Sequence, residues 1–165
     1  LGRKLEVKNQ INSISYTISH LDDSAEQTTR PIYVESPVSQ SGAVGDNVGL
    51  DFAYGSSANK NTMLITFDKA VAHFGIDLLD FETNSNFTLG EIVAKSCDVN
   101  PVIIARKGID FGSEDGNGEV HFFGFITTEA VICSIQIFIG DDGIGDGKAE
   151  KFAVDNMRFG ASTLK

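Results

Sequence analysis

The segment VAHFGIDL, residues 71–78, decides the fold class, because its apolar side chains recur at every second position. One face of the segment carries Ala72, Phe74, Ile76 and Leu78. A period of two is the spacing of side chains on one face of a β-strand, whereas a helix repeats every ~3.6 residues. The segment is therefore predicted to be a strand with one face buried in a core.

The same period recurs along the chain, while helical periodicity is nearly absent. Tracts rich in Gly, Asn, Asp and Ser separate the alternating segments, as turns do. The pattern predicts one all-β domain over residues 1–165: a jelly-roll-like β-sandwich of about eight or more antiparallel strands, with little helix. The other predicted strands are INSISYTI (11–18), TMLITF (62–67), FTLGEIVA (87–94), PVIIA (101–105), EVHFFGFI (119–126), AVICSIQIFI (130–139) and FAVDNMRF (152–159).

The predicted strand EVHFFGFI carries phenylalanine on both of its faces. Phe122 and Ile126 alternate there with Phe123 and Phe125. Because large apolar side chains are usually buried, we expect this strand to be covered on both sides.

Composition and charge narrow the classes of partner. The chain has 165 residues, 41% of them hydrophobic, and a formal net charge of -10. That length and composition suit one globular domain with its own core. The negative charge argues against a nucleic-acid partner, which requires a basic surface, and against an anionic membrane. No apolar run reaches the ~18 residues of a membrane-spanning helix, so we expect no membrane insertion.

An acidic, glycine-rich loop follows the strand that ends near Ile139. Asp141, Asp142 and Asp146 lie there among four glycines, Gly140, Gly143, Gly145 and Gly147. Calcium takes its ligands from carboxylates, backbone carbonyls and water, and glycine lets the backbone approach an ion closely. The loop is therefore a predicted calcium site, and a solvated hairpin turn is the alternative.

A second acidic cluster lies in GIDFGSEDGNGEV, residues 108–120. Asp110, Asp115 and Asn117 supply oxygen atoms within a few residues of one another. This arrangement resembles an oxygen-ligand loop for calcium. The alternative, which we prefer here, is that DGNG forms a hairpin turn, because Asp-Gly and Asn-Gly are typical hairpin sequences.

Asp155 is a third candidate metal ligand. Simple alternation puts it on the same face as Met157 and Phe159. A carboxylate on an apolar face is costly unless it is paired or coordinated. Either a neighbouring lysine or arginine or a metal ion is expected to offset that cost.

The two cysteines, Cys97 and Cys133, have no spacing typical of a zinc site. Three explanations stay open. They are two separate core thiols, a disulfide, or a catalytic thiol.

The irregular region of residues 20–55 carries the candidate ligand-binding residues. Loops of a sandwich collect at its ends, where ligands are commonly bound. The candidates are Tyr33, Tyr54, Asp46 and Asn47. The chain has no Trp and three Tyr, which weakens stacking against sugars but not binding through calcium and polar loops.

The series LITFDKAVAHFGIDLLDFE (64–82), EVHFFGFITTEAVICSIQIFIGDDG (119–143) and EKFAVDNMRFG (150–160) resembles a group of bacterial secreted β-sandwich modules. Such modules recur in large surface-anchored or adhesin-like proteins, and the resemblance covers residues 62–160. The closing DN strand is also similar to the end of many jelly-roll carbohydrate-binding modules, where the corresponding Asp commonly holds a structural calcium. The resemblance implies that role for Asp155.

These observations predict a calcium-dependent extracellular module at the cell surface. Its expected partner is a glycan or peptide on another surface, and the module is expected to be a monomeric part of a larger protein. No catalytic motif such as G-x-S-x-G or H-E-x-x-H is present, so we do not expect an enzyme. A structural spacer without a ligand and, with less support, a polysaccharide-active enzyme are the alternatives.

Overall fold

The computed structural model describes residues 9–11, 13–21, 32–35, 49–52, 61–79, 90–109, 120–139 and 152–161. These ranges form eleven β-strands. None of the described residues belongs to a helix long and apolar enough to cross a membrane. The strands are β1 (Asn9–Ile11), β2 (Ile14–Leu21), β3 (Ile32–Glu35), β4 (Gly49–Phe52), β5 (Asn61–Val71), β6 (His73–Leu79), β7 (Gly90–Ser96), β8 (Ile103–Ile109), β9 (Val120–Ile126), β10 (Ile132–Ile139) and β11 (Phe152–Gly160).

The strands form two antiparallel sheets. The six-stranded sheet has the order β1-β2-β5-β10-β7-β8, and the five-stranded sheet has the order β3-β4-β11-β6-β9. The last eight strands pair as nested hairpins: β4 with β11, β5 with β10, β6 with β9, and β7 with β8. Nested pairing divided between two sheets is the topology of a jelly roll. The predicted fold class is therefore confirmed.

The core lies between the two sheets and consists of side chains that alternate along the strands. On β6 the buried residues are Phe74, Ile76 and Leu78, as the period of two in residues 71–78 predicted. Strand β5 contributes every second residue from Met63 to Phe67, and all of them are buried. Each fully buried large aliphatic side chain contributes ~1.5–3 kcal/mol, so this layer supplies much of the driving force for folding.

A disulfide joins Cys97 and Cys133, with a Cα–Cα distance of 4.9 Å. Along β10, Ile132 pairs with Ser96 and Ser134 pairs with Lys95, so Cys133 is an extra residue in the ladder with β7. This β-bulge brings Cys133 beside Cys97, which directly follows β7. Of the three explanations that the sequence left open, the disulfide is correct.

Candidate functional site

The outer face of the five-stranded sheet carries the candidate site. Because Phe74, Ile76 and Leu78 of β6 point into the core, the residues between them point outward. Three register rows cross β11, β6 and β9 on this outer face. In that strand order they are Gly160–His73–Ile126, Arg158–Gly75–Gly124 and Asp155–Asp77–Phe122.

A β-bulge in β11 sets which residues belong to these rows. Asp155 pairs with Asp77 and Arg158 pairs with Gly75, so three steps along β11 match two steps along β6. At the bulge Asn156 has a φ of 49°, in the left-handed region. Asn tolerates that region better than most side chains do, which suits it to the first position of such a bulge.

The bulge corrects the prediction made for Asp155. The sequence placed Asp155 on the same face as Met157 and Phe159, but those two residues pack in or against the core, as Val154 does. Asp155 lies on the outer face, opposite Asp77. Simple alternation was wrong here because one extra residue reverses the phase of the strand.

Asp77, Asp155 and Asn156 form an oxygen-rich cluster. Asp77 is only 9% exposed, and its Oδ2 accepts a hydrogen bond of 2.9 Å from Asn156 Nδ2. The backbone N–H of Asn156 donates to Asp155 Oδ1 at 2.7 Å, and Asp155 Oδ2 is shielded from solvent. The two carboxylates are ligands of the kind that calcium prefers, whereas Asn156 turns its amide nitrogen toward Asp77. Within the described ranges no group of three or more His, Cys, Asp or Glu side chains is arranged to hold a metal.

Sequence reasoning singled out Asp155 but missed Asp77. Asp77 is visible in the sequence as the last outward position of VAHFGIDL. Nothing local marks it as a partner of a residue 78 positions later along the chain, because the bulge in β11 fixes that pairing.

Most of the other candidates lie outside the described residues. This applies to Asp141, Asp142, Asp146, Asp110, Asp115 and Asn117, which were predicted as metal ligands, and to Tyr54, Asp46 and Asn47, which were predicted to bind a ligand. Tyr33 belongs to β3, where its backbone is in register with Asp51 of β4. Asp51 is in register with Ala153 of β11, two residues before Asp155. Tyr33 therefore belongs to the next register row of the same sheet.

A groove of about 400 Å³ crosses the strands on the outer face. Gly75 and Gly124, which are register partners, form its floor. Phe122 and Ile126 line it and are 60% and 67% exposed. The guanidinium-bearing Arg158 lies at the β11 end of the floor. The groove therefore combines an apolar wall, a backbone floor and one cationic group.

Both glycines lie in close contacts, and the contacts at Gly124 are with backbone atoms. A Cβ on Gly75 would lie 2.5 Å from Cζ of Phe122, whose ring covers this part of β6. A Cβ on Gly124 would lie 2.6 Å from the carbonyl oxygen of Phe74. A side chain at Gly75 would displace the Phe122 ring, whereas a side chain at Gly124 would force β9 away from the backbone of β6.

The exposure of Phe122 and Ile126 contradicts the expectation that β9 is covered on both sides. Phe123 and Phe125 pack against the core as expected, but among the described residues no strand covers the opposite face of β9. Strand β9 is the last strand of its sheet. The ring of Phe122, which was expected to be covered, instead lies over Gly75 and borders the groove.

The fold and the groove define a jelly-roll β-sandwich with a small concave surface on one sheet. No protein-family model and no curated protein matches the chain. Among solved structures, the chain is similar to the enzymatically active domain of bacteriophage CBA120 tailspike protein 4, with 12% identity and a TM-score of 0.47 over 89% of this chain. It spans only 19% of that structure's length. It is also similar to the C-terminal domain of a chitobiase from Bacteroides fragilis, with 15% identity and a TM-score of 0.45 over 96% of this chain and 99% of that one.

Proposed function

We propose that the chain is a calcium-dependent extracellular binding module that recognises a glycan or peptide on another surface. The observation that carries this proposal is the groove on the outer face of the five-stranded sheet. Its volume of about 400 Å³ falls in the range of ~300–1,000 Å³ that is usual for small-ligand sites. Exposed aromatic and aliphatic side chains beside a single cationic group are the typical composition of a recognition surface.

The calcium dependence is supported by the oxygen cluster next to the groove. Asp77 and Asp155 are register partners on β6 and β11, and two neighbouring carboxylates repel each other unless positive charge lies close to both. Calcium would supply that positive charge, with the carboxylates of Asp77 and Asp155 as ligands from the described residues. Because Asp155 and Arg158 flank the bulge, an ion at the cluster would also stabilise the strand that carries Arg158.

An extracellular location is supported by the disulfide between Cys97 and Cys133. Disulfides persist in oxidising compartments and are rare in reducing ones. Calcium sites of extracellular modules have a Kd of roughly 10⁻⁴–10⁻³ M, so modest affinity suffices there. We further propose that neither nucleic acid nor an anionic membrane is a partner, because the net charge of -10 opposes both.

Thermal unfolding with and without calcium tests the metal part of this proposal. At a calcium concentration of a hundredfold over Kd, the bound ion stabilises the fold by about 2.7 kcal/mol. We expect chelation to remove this gain, and Asp155→Asn to reduce it by weakening ion affinity. The control is Glu129→Gln, because Glu129 is exposed and lies in the turn between β9 and β10. An identical melting temperature in calcium and in chelator would refute the calcium dependence.

An array of neutral glycans, acidic glycans and peptides, probed with the full chain in calcium buffer, tests the binding part. Specific capture of at least one class is expected, and Phe122→Ala should weaken it because Phe122 borders the groove. Absence of any specific capture would refute ligand binding and favour the spacer role. Release of products from captured polysaccharide would instead point to the enzymatic alternative.

A further inference from the structure

We infer that the groove binds a uronic-acid unit of an acidic glycan, with Arg158 pairing with the sugar carboxylate and Phe122 stacking on the sugar ring. This inference rests on the proposed ligand-binding function and names its ligand class. It follows from the juxtaposition of one cation, one exposed aromatic ring and a glycine floor on neighbouring strands.

The direction of the groove favours a ring-shaped ligand over an added peptide strand. The floor runs along the register row Arg158–Gly75–Gly124, across the strands. Strand β6 is paired on one side with β11 and on the other with β9, so its ladder hydrogen bonds are already made. A ligand on this floor must therefore be recognised by side chains and shape, and not by strand pairing.

The walls suit the apolar face of one sugar ring. Phe122 and Ile126 are four residues apart on β9, so their Cα atoms are separated by about 13 Å along the strand. The Phe122 ring lies over Gly75, and Gly124, between Phe122 and Ile126 along β9, is exposed. An exposed aromatic ring gives a flat apolar surface against which the C–H face of a pyranose can stack.

The charge pattern favours a carboxylate. In a chain with a net charge of -10, the exposed Arg158 forms no ion pair with any carboxylate of the described residues. By contrast, Arg106 on β8 of the other sheet pairs with Glu91 at 2.9 Å. A guanidinium matches a carboxylate with two parallel hydrogen bonds, so Arg158 provides specificity for an acidic group.

The neighbouring rows fix the orientation of the ligand. The carboxylates of Asp77 and Asp155 lie one row to one side of Arg158, and His73 lies one row to the other side. Like charges repel, so the sugar carboxylate is expected on the His73 side of Arg158. Calcium at the oxygen cluster would lower the remaining repulsion, so the binding measurements belong in calcium buffer.

Calorimetric titration of the full chain with matched trisaccharides tests the inference. The probes are trisaccharides of glucuronate, galacturonate and mannuronate, each beside the same trisaccharide with its carboxylates reduced to hydroxymethyl groups. We expect at least one acidic trisaccharide to bind, with affinity at least tenfold higher than its reduced counterpart. Arg158→Gln and Phe122→Ala should each lower that affinity at least tenfold. The matched controls, Arg106→Gln and Ile103→Ala, should bind like the unaltered chain, and melting curves confirm that every variant is folded.

Three results would overturn the inference. They are equal affinity for acidic and reduced sugars, unchanged affinity in Arg158→Gln, and equally tight binding of sulfated neutral trisaccharides. Capture of a neutral glycan or a peptide on the array, insensitive to Arg158→Gln, would refute this inference and leave the proposed binding function standing. Absence of capture of any array member would refute the proposed function itself.

Discussion

Removing the disulfide should lower the free energy of unfolding by nearly the full amount expected for a cross-link that closes a loop of this length. Cys97 and Cys133 are 36 residues apart in the chain. Closing a loop of that length removes enough entropy from the unfolded chain to stabilise the fold by roughly 4 kcal/mol at 25 °C. Cys97 is exposed and Cys133 is half-buried, so replacing them loses little packing, and the cross-link dominates the effect.

The assay is equilibrium unfolding in urea, followed by far-UV circular dichroism. We expect the Cys97→Ser, Cys133→Ser double variant to unfold with a free energy roughly 4 kcal/mol lower than the oxidised chain, and to melt ~8–16 °C lower. The urea slope m should rise, because the unfolded variant is less compact. Free energies, and not midpoints, are therefore the quantities to compare.

Two controls separate the bond from the side chains. The single variant Cys97→Ser should lose as much stability as the double variant, because either change breaks the same bond. A reducing agent should destabilise the unaltered chain by the same amount and leave the double variant unchanged. A loss below ~1 kcal/mol in the double variant would refute the loop-closure reasoning.

Two further substitutions test the groove floor and the bulge. Gly124→Ala should destabilise the fold by ~1–3 kcal/mol in the same assay, because its Cβ would lie 2.6 Å from the Phe74 carbonyl oxygen. The control Gly108→Ala should be tolerated, because its Cβ would have no atom within 4 Å. Equal losses of stability in the two variants would contradict this account. Asn156→Ala should lower the free energy of unfolding by roughly 2 kcal/mol, because alanine is strained at a φ of 49° and the hydrogen bond to Asp77 is lost. Asn156→Gly relieves the strain and should lower it by less. A larger loss in Asn156→Gly than in Asn156→Ala would refute the assigned backbone role.

The fold class could be predicted from the sequence because the core strands obey a simple period. In residues 71–78 every apolar position identified by alternation is buried. The nested pairing of strands could not be read in the same way. Pairing depends on which strands pack together in space, and alternation records only which face of each strand is apolar.

The cysteine pair shows why local patterns left alternatives open. Alternation put Cys133 on the same face as Ile135 and Ile137, which suggested a core thiol. The structure does bury Ile135 and Ile137, but Ile132 rather than Cys133 is the next buried residue, and Cys133 is the extra residue of the bulge. A bulge leaves no simple signal in one sequence, so the disulfide could only be one of three alternatives.

The candidate site was predictable only in part for the same physical reason. The sequence marked Asp155 as unusual because a carboxylate in an apolar strand requires a partner. The nature of that partner depended on the phase of β11, which the bulge at Asn156 reverses. The floor and walls of the groove come from β6, β9 and β11, whose residues meet through register pairs that are 45 to 87 positions apart in the chain.

The bulge in β11 determines which polar side chains lie on the groove-bearing face of the sheet. In a regular strand the two faces alternate strictly, so Val154 and Phe159 could not both point into the core. The extra residue at Asn156 lets Val154 and Phe159 both remain in the core while Asp155 and Arg158 both face outward. It does so at the point where β11 borders the glycine floor. Bulges that redirect side chains are frequent next to functional sites, and here the bulge puts the oxygen cluster and the cation on adjacent rows of the same groove-bearing face.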